Sequence, residues 1–312
     1  MALDEATAAF LTQAAEGGGK ALHEMTPVEA RSMNDTFIDL YGPGPDMHNV
    51  ENLTVTATEG HTIPVRILTP TTNPRGVFVY YHGGGWVVGN PDQFDHLARR
   101  IAIETNCIVI LPDYRLAPEN VYPAAADDAW DVLQWSEMHR AHLDSALPLI
   151  VGGDSSGGNL AAVVAQRAVR ENGPAVALQV LVYPVTDHDF DTSSYQDPAN
   201  QLMLDKTAMV WFWDLYTPDT GVRNNWDVSP LHGDVAGVAP AVVLLAEHDV
   251  LRAEGMKYAD KLSAAGVSVE SKVFDGQMHG FFQFVNILPG ADAGINYVGE
   301  AVRARLDAAV GA

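Results

Sequence analysis

Leu149-Ile150-Val151-Gly152-Gly153-Asp154-Ser155-Ser156-Gly157-Gly158-Asn159 carries the decisive signal. An apolar strand pattern runs into a serine framed by glycines, and the small residues of Leu160-Ala161-Ala162-Val163-Val164-Ala165 then read as a helix. Gly153-Asp154-Ser155-Ser156-Gly157 fits G-x-S-x-G, the nucleophile elbow. The spacing has a physical reason. A serine on a sharp strand-to-helix turn stands above the sheet. Glycines two positions to either side let strand and helix pass without Cβ clashes. The first N–H groups of the helix then face the place where an oxyanion forms. A passive serine in a glycine-rich βα turn is the alternative; the strand before and the helix after favour a nucleophile.

Outward from this stretch, strands are expected at 50–58 and 62–68, paired as a hairpin across Glu59-Gly60-His61, and then at 76–81, 108–111, 148–151, 178–182, 242–246 and 267–274. Helices are expected at 94–104, 124–139, 159–171 and 253–265. An antiparallel start followed by β-α-β units predicts one eight-stranded, mostly parallel sheet covered on both faces, an α/β fold. Residues 1–45 read as two helices. The second is opened by Thr26 as cap, Pro27 at its first position and Glu29 at its third, and runs to Leu40. With no strand between them, these helices are expected to form a cap on a catalytic domain at 46–312. An insertion at about 185–235 contains a second cap element at 202–216, rich in Met203, Met209, Trp211, Phe212, Trp213 and Tyr216. The competing reading of 202–216 is a plain core helix.

The 312 residues carry 40 acidic against 18 basic side chains, a formal charge of −22. Such a surface repels nucleic acid and anionic membranes, so neither is expected as a partner. It fits a saline habitat or an ordinary acidic cytosolic protein equally. No apolar run reaches membrane-span length, and Met1-Ala2-Leu3-Asp4-Glu5 lacks a basic start followed by an apolar run, so a cytoplasmic location is expected. The single cysteine, Cys107, excludes an intrachain disulfide and lies in a strand pattern, where a buried thiol is expected.

A second glycine motif, His82-Gly83-Gly84-Gly85-Trp86, follows directly on the third strand. Consecutive glycines let backbone N–H groups turn toward a ligand, and a run of this kind after strand three matches the oxyanion loop of lipases and esterases. Gly84, Gly85 and Ser156 are the expected oxyanion donors, with Gly83 as a less firm member; His82 is expected to brace the loop. Ser155 needs a base and the base needs a carboxylate, in the order Ser, acid, His for this fold. Asp249 and His279 follow two parallel strands, at the carboxyl ends where open α/β sheets place their sites. His248 and His232 are rival bases, and Glu247 and Asp275 rival acids. No His/Cys cluster has metal-ligand spacing and no phosphate or dinucleotide loop is present, so neither metal nor cofactor is expected.

Taken together, His82-Gly83-Gly84-Gly85-Trp86, Tyr114-Arg115-Leu116-Ala117-Pro118-Glu119, Gly153-Asp154-Ser155-Ser156-Gly157-Gly158, Asp249-Val250-Leu251-Arg252-Ala253-Glu254-Gly255 and His279-Gly280-Phe281 resemble the bacterial hormone-sensitive-lipase-like esterases of the α/β-hydrolase fold. The resemblance spans about residues 50–285, and the N-terminal helices resemble that family's cap. Two departures are mild: Ser156 stands where the family often has Ala, and Asp249-Val250-Leu251-Arg252 where it often has Asp-Pro-Leu-Arg. The resemblance implies a cofactor-free serine carboxylesterase acting on short-chain, small-molecule esters. It also implies a homodimer, for which the edge strand at 267–274 is the expected contact. Two alternatives stay open: amide or peptide hydrolysis by the same triad, and a non-catalytic ligand-binding relative. The plant gibberellin receptors resemble the family but lack the triad histidine; the presence of His279 favours an enzyme.

Overall fold

In the computed structural model, which describes residues 2–144 and 147–310, eight strands form one sheet. Met1 and the last two residues, 311–312, which belong to the expected start and the expected domain end, lie outside the described residues. The strands are β1 (Asn49–Thr56), β2 (Thr62–Thr69), β3 (Val77–Tyr81), β4 (Ile108–Pro112), β5 (Leu149–Asp154), β6 (Val176–Val182), β7 (Ala241–His248) and β8 (Val269–Met278). Their spatial order is β1-β2-β4-β3-β5-β6-β7-β8. β2 runs antiparallel to both neighbours, and all other pairs are parallel, as the β-α-β pattern requires. β3, β4, β5 and β7 are buried along their whole length, which is why they read as unbroken apolar runs and not as alternating ones.

The helices are α1 (Glu5–Glu16), α2 (Pro27–Asp35), α3 (Phe37–Tyr41), α4 (Pro91–Thr105), α5 (Ala124–Asp144), α6 (Ser156–Arg170), α7 (Ser193–Gln196), α8 (Lys206–Tyr216), α9 (Arg252–Ala264) and α10 (Pro289–Val310). Two apolar clusters lie on opposite faces of the sheet. One packs Val79, Tyr81 and Val151 against α5, α6 and α9; the other packs Phe78, Val109 and Ile150 against α4 and α10. Cys107 belongs to the second cluster and is buried. α10 has no counterpart in the sequence reading. Its buried stripe, Ile295, Val298, Val302 and Leu306, covers the sheet beside α4.

The expected second N-terminal helix is two helices. Thr36 turns its hydroxyl back to the Met33 carbonyl at 2.6 Å, and the chain bends there into α3. Its start is as read: Thr26 Oγ1 accepts the Glu29 N–H at 3.2 Å while the Glu29 carboxylate accepts the Thr26 N–H at 2.8 Å. The helix expected at 202–216 begins four residues later, where Asp205 caps it by accepting the Ala208 N–H at 2.7 Å. β8 runs four residues beyond the expected end at 274, through Asp275 and Gly276 to Met278, with a register shift opposite Ala246 and His248. Among the described residues, no helix is long and apolar enough to cross a membrane.

Candidate active site

Ser155 sits between β5 and α6 with φ 55° and ψ −119°, the left-handed region that costs a non-glycine residue energy. The packing that holds it there also explains the framing glycines. A Cβ on Gly153 or Gly157 would collide with the Tyr81 carbonyl, so only glycine lets β5 and α6 pass so close to β3. The Ser155 N–H donates to the Val182 carbonyl at 2.9 Å, which fixes the turn to β6.

His279, the first residue after β8, brings Nε2 to 3.0 Å from Ser155 Oγ. Its Nδ1 lies 2.7 Å from Asp249 Oδ2. With a carboxylate as acceptor, Nδ1 carries the proton and Nε2 presents a lone pair to the serine hydroxyl. Asp249 follows β7 and is fully buried; its Oδ1 accepts the Leu251 N–H at 2.9 Å, which fixes the carboxylate at the entry to α9. The Tyr183 ring packs 4.6 Å, centroid to centroid, from the His279 ring. The sequence reading did not single out Tyr183.

The rivals lie elsewhere. His232 pairs with Asp187 at 2.9 Å. His248 contributes its backbone carbonyl to the His279 N–H, and its ring is buried beside Glu247. Glu247 accepts the Gly276 N–H at 2.8 Å and, with Asp275, lines a separate surface pocket.

The glycine loop after β3 forms one wall of a cavity of about 670 Å³, in which Gly84 and Gly85 face Ser155 and His279. Gly84 (φ 114°) and Gly85 (φ 59°) adopt backbone angles that favour glycine, and a Cβ on Gly85 would strike the Phe212 ring. Gly83 departs from the oxyanion expectation. Its N–H donates to Asp154 Oδ1 at 3.0 Å, so it is already committed to bracing the loop. His82 is buried, and Nδ1–H donates to the Gly83 carbonyl at 2.7 Å; burial pulls its pKa down to about 4, so it is neutral and supports the loop without taking a proton.

Asp154, unremarked in the sequence reading, is buried directly before the serine. It accepts the Tyr80 hydroxyl at 2.9 Å as well as the Gly83 N–H. Burial pushes its carboxyl up to about 6, against the pull of the Tyr80 hydroxyl, His279 and the Gly83 N–H.

The opposite walls of the cavity come from α1, α3, the stretch before α2, and α8: Phe10, Leu22, Phe37, Tyr41, Ala208 and Phe212 are among the lining side chains. Arg31 of α2 anchors this part to the loop, donating to the carbonyls of Val87 and Ala117 at 2.8 Å each and to Glu119 at 2.6 Å. The α8 aromatics divide. Phe212 lines the cavity, whereas Trp213 is fully buried against Trp86 and Tyr216, and Met209 is buried in the same apolar cluster. Trp211 packs against Phe212 without lining the cavity. One face of the stretch is therefore wall and the other is core.

A serine on such an elbow, with an imidazole and a buried carboxylate in line, defines a hydrolase architecture. The chain belongs to the α/β-hydrolase family, whose model matches residues 78–283, and to its hormone-sensitive-lipase-like branch. It is 40% identical over 236 residues to the carboxylesterase NlhH of Mycobacterium tuberculosis, covering 73% of this chain and 74% of that one. It is 36% identical over 318 residues to an ethyl acetate hydrolase of Pseudomonas putida, covering 98% and 100%. The fold matches the crystal structure of a thermostable esterase from Pseudomonas putida with a TM-score of 0.91 at 34% identity, over 98% of both chains. It matches a hyperthermophilic esterase of Pyrobaculum calidifontis at 0.92 and 32%, over 97% of this chain and 99% of that one.

Proposed function

We propose that this protein is a serine carboxylesterase that hydrolyses short-chain esters through an acyl-enzyme. The observation that carries this reading is the line of hydrogen bonds from Asp249 through His279 to Ser155, opening on the cavity. Ser155 Oγ attacks the acyl carbon while His279 Nε2 takes its proton, and Asp249 holds the tautomer and favours the imidazolium. The N–H groups of Gly84, Gly85 and Ser156 stabilise the tetrahedral oxyanion; one such donor is worth roughly 3–4 kcal/mol of transition-state stabilisation. His279 then protonates the leaving alcohol, and water repeats the sequence on the acyl-enzyme.

The helices over the site act as a cap. Residues 1–45 and the insertion at about 185–235 form it, and 46–312 form the catalytic domain. Phe10, Phe37 and Phe212 on the cavity wall support a preference for short acyl groups, as does the likeness to a relative named ethyl acetate hydrolase. Matched 4-nitrophenyl ester and 4-nitroanilide substrates test the reaction class: turnover of the ester and not the anilide is the expected result.

The reading includes a homodimer in the cytoplasm. β8 lies at the edge of the sheet, which supports pairing with a second copy. Light scattering at micromolar concentration tests this, since a monomeric mass contradicts it. Fractionation of the source cells tests the location.

A further inference from the structure

The segment that carries α8 leaves the sheet after β6 and returns before β7, and three metal-competent side chains meet where its two ends come together. Asp187 and His188 lie in the loop that follows β6, and His232 lies in a short 3₁₀ turn on the return. Asp187 Oδ1 is 2.9 Å from His232 Nε2 and 3.5 Å from His188 Nδ1, and the three donor atoms lie within 4.8 Å of one another. Donors bound tetrahedrally to zinc at about 2.0–2.1 Å stand roughly 3.3 Å apart, and the two Asp187 distances bracket that value.

A second observation is independent of the clustering. His188 Nδ1 is buried and makes no hydrogen bond, although it faces the Asp187 carboxylate. A buried ring nitrogen left unbonded is costly, and a Lewis acid between it and the carboxylate would satisfy it. The backbone beneath is fixed: the buried Glu254 carboxyl, in the first turn of α9, accepts the N–H groups of Thr186 at 2.8 Å and Asp187 at 3.3 Å. His232 is 39% exposed at its side chain, so it can turn to complete the geometry and admit an ion from solvent. Arg223, one nearby cation, is paired with Asp214 at 2.8 Å, which offsets its repulsion, and Lys261 donates to the Leu231 carbonyl at 2.7 Å.

We propose that Asp187, His188 and His232 form a binding site for a divalent transition metal of the zinc class, with water completing the shell. Two imidazoles and one carboxylate suit zinc in preference to calcium or magnesium, which take oxygen ligands. None of the three residues lines the cavity that holds Ser155, and the ion takes no part in ester cleavage. It joins the two ends of the insertion that supplies the Phe212 wall, and so raises stability without altering basal turnover.

The test uses the full chain freed of metal by a chelator and titrated with Zn²⁺ alone by calorimetry at neutral pH. One-to-one binding with a rise in Tm is expected. Both are lost in His188→Gln and in His232→Gln and kept in His23→Gln, an exposed histidine outside the cluster. Equal binding by wild type and the two cluster variants means adventitious binding elsewhere and overturns the proposal, as does no binding at all. Should the variants fail to fold, Co²⁺ added to the wild type still decides. Strong visible bands of a four-coordinate ion, bleached by Zn²⁺, support the site. The weak spectrum of a hydrated six-coordinate ion overturns it.

Discussion

Asp154 accepts the N–H of Gly83 at 3.0 Å, so the residue before the elbow serine holds the glycine loop that faces that serine. Two motifs separated by about 70 residues of chain are thus one unit, closed by a buried carboxyl. The Tyr80 hydroxyl completes it from β3.

This pairing has a consequence for stability. Burial raises the Asp154 pKa from 3.8 to about 6, so the folded state keeps a proton that the unfolded chain releases. Stability from this group is fully present below about pH 4 and is lost as pH rises toward and through 6. A shift of this size amounts to at most about 3 kcal/mol. His82 acts in the opposite sense: its pKa is lowered to about 4, so its contribution is lost as pH falls. Asp154→Asn removes the first effect and keeps an acceptor for Gly83. The stability of the variant relative to wild type should therefore rise from pH 4 to pH 7, as measured by urea unfolding at each pH. A difference that stays constant across this range contradicts the assignment.

The two faces of α8 give a paired prediction. Phe212→Ala removes a wall of the cavity and should move the preferred acyl chain toward greater length, at some cost in stability because the ring is also part of the buried cluster. Each added methylene that finds buried space is worth about 0.8 kcal/mol, against roughly 1–3 kcal/mol for overpacking a filled one. Trp213→Ala empties a fully buried site and should cost about 3–5 kcal/mol of stability. The kcat/KM series over 4-nitrophenyl esters of rising length, with unfolding curves alongside, checks both. An unmoved optimum in Phe212→Ala means that the ring does not bound the acyl site.

His279 takes the serine proton in the proposed reaction, so a side chain that cannot act as a base in its place should stop turnover. His279→Gln should lower kcat/KM by more than about a hundredfold.

The sheet and the residues around Ser155 were largely legible because their signals are local. Unbroken apolar runs mark strands buried on both faces, and G-x-S-x-G with a following small-residue helix marks the elbow. Position after a strand end singled out Asp249 and His279 in the sequence, and the fold brings both into line with Ser155. α10 was not legible, because Gly290, Gly294 and Gly299 dilute its helical signal. In the fold those positions face close neighbours: a Cβ at Gly294 would meet the Phe282 ring, and one at Gly299 would crowd Glu104. The commitment of Gly83 to Asp154 was equally hidden, since a carboxyl's burial and its partners are set by tertiary packing. The meeting of Asp187 and His188 with His232 depends on how the insertion closes, which no local spacing reports.

Ser155 as the nucleophile of an ester hydrolase is tested most directly by hydrolysis of 4-nitrophenyl acetate by wild type and by Ser155→Ala. Alanine keeps the elbow and its packing, so far-ultraviolet circular dichroism and Tm should stay close to wild type while turnover falls by more than about a hundredfold. A folded Ser155→Ala variant that retains more than about a hundredth of wild-type turnover, or a wild type that cleaves no ester at all, would contradict it.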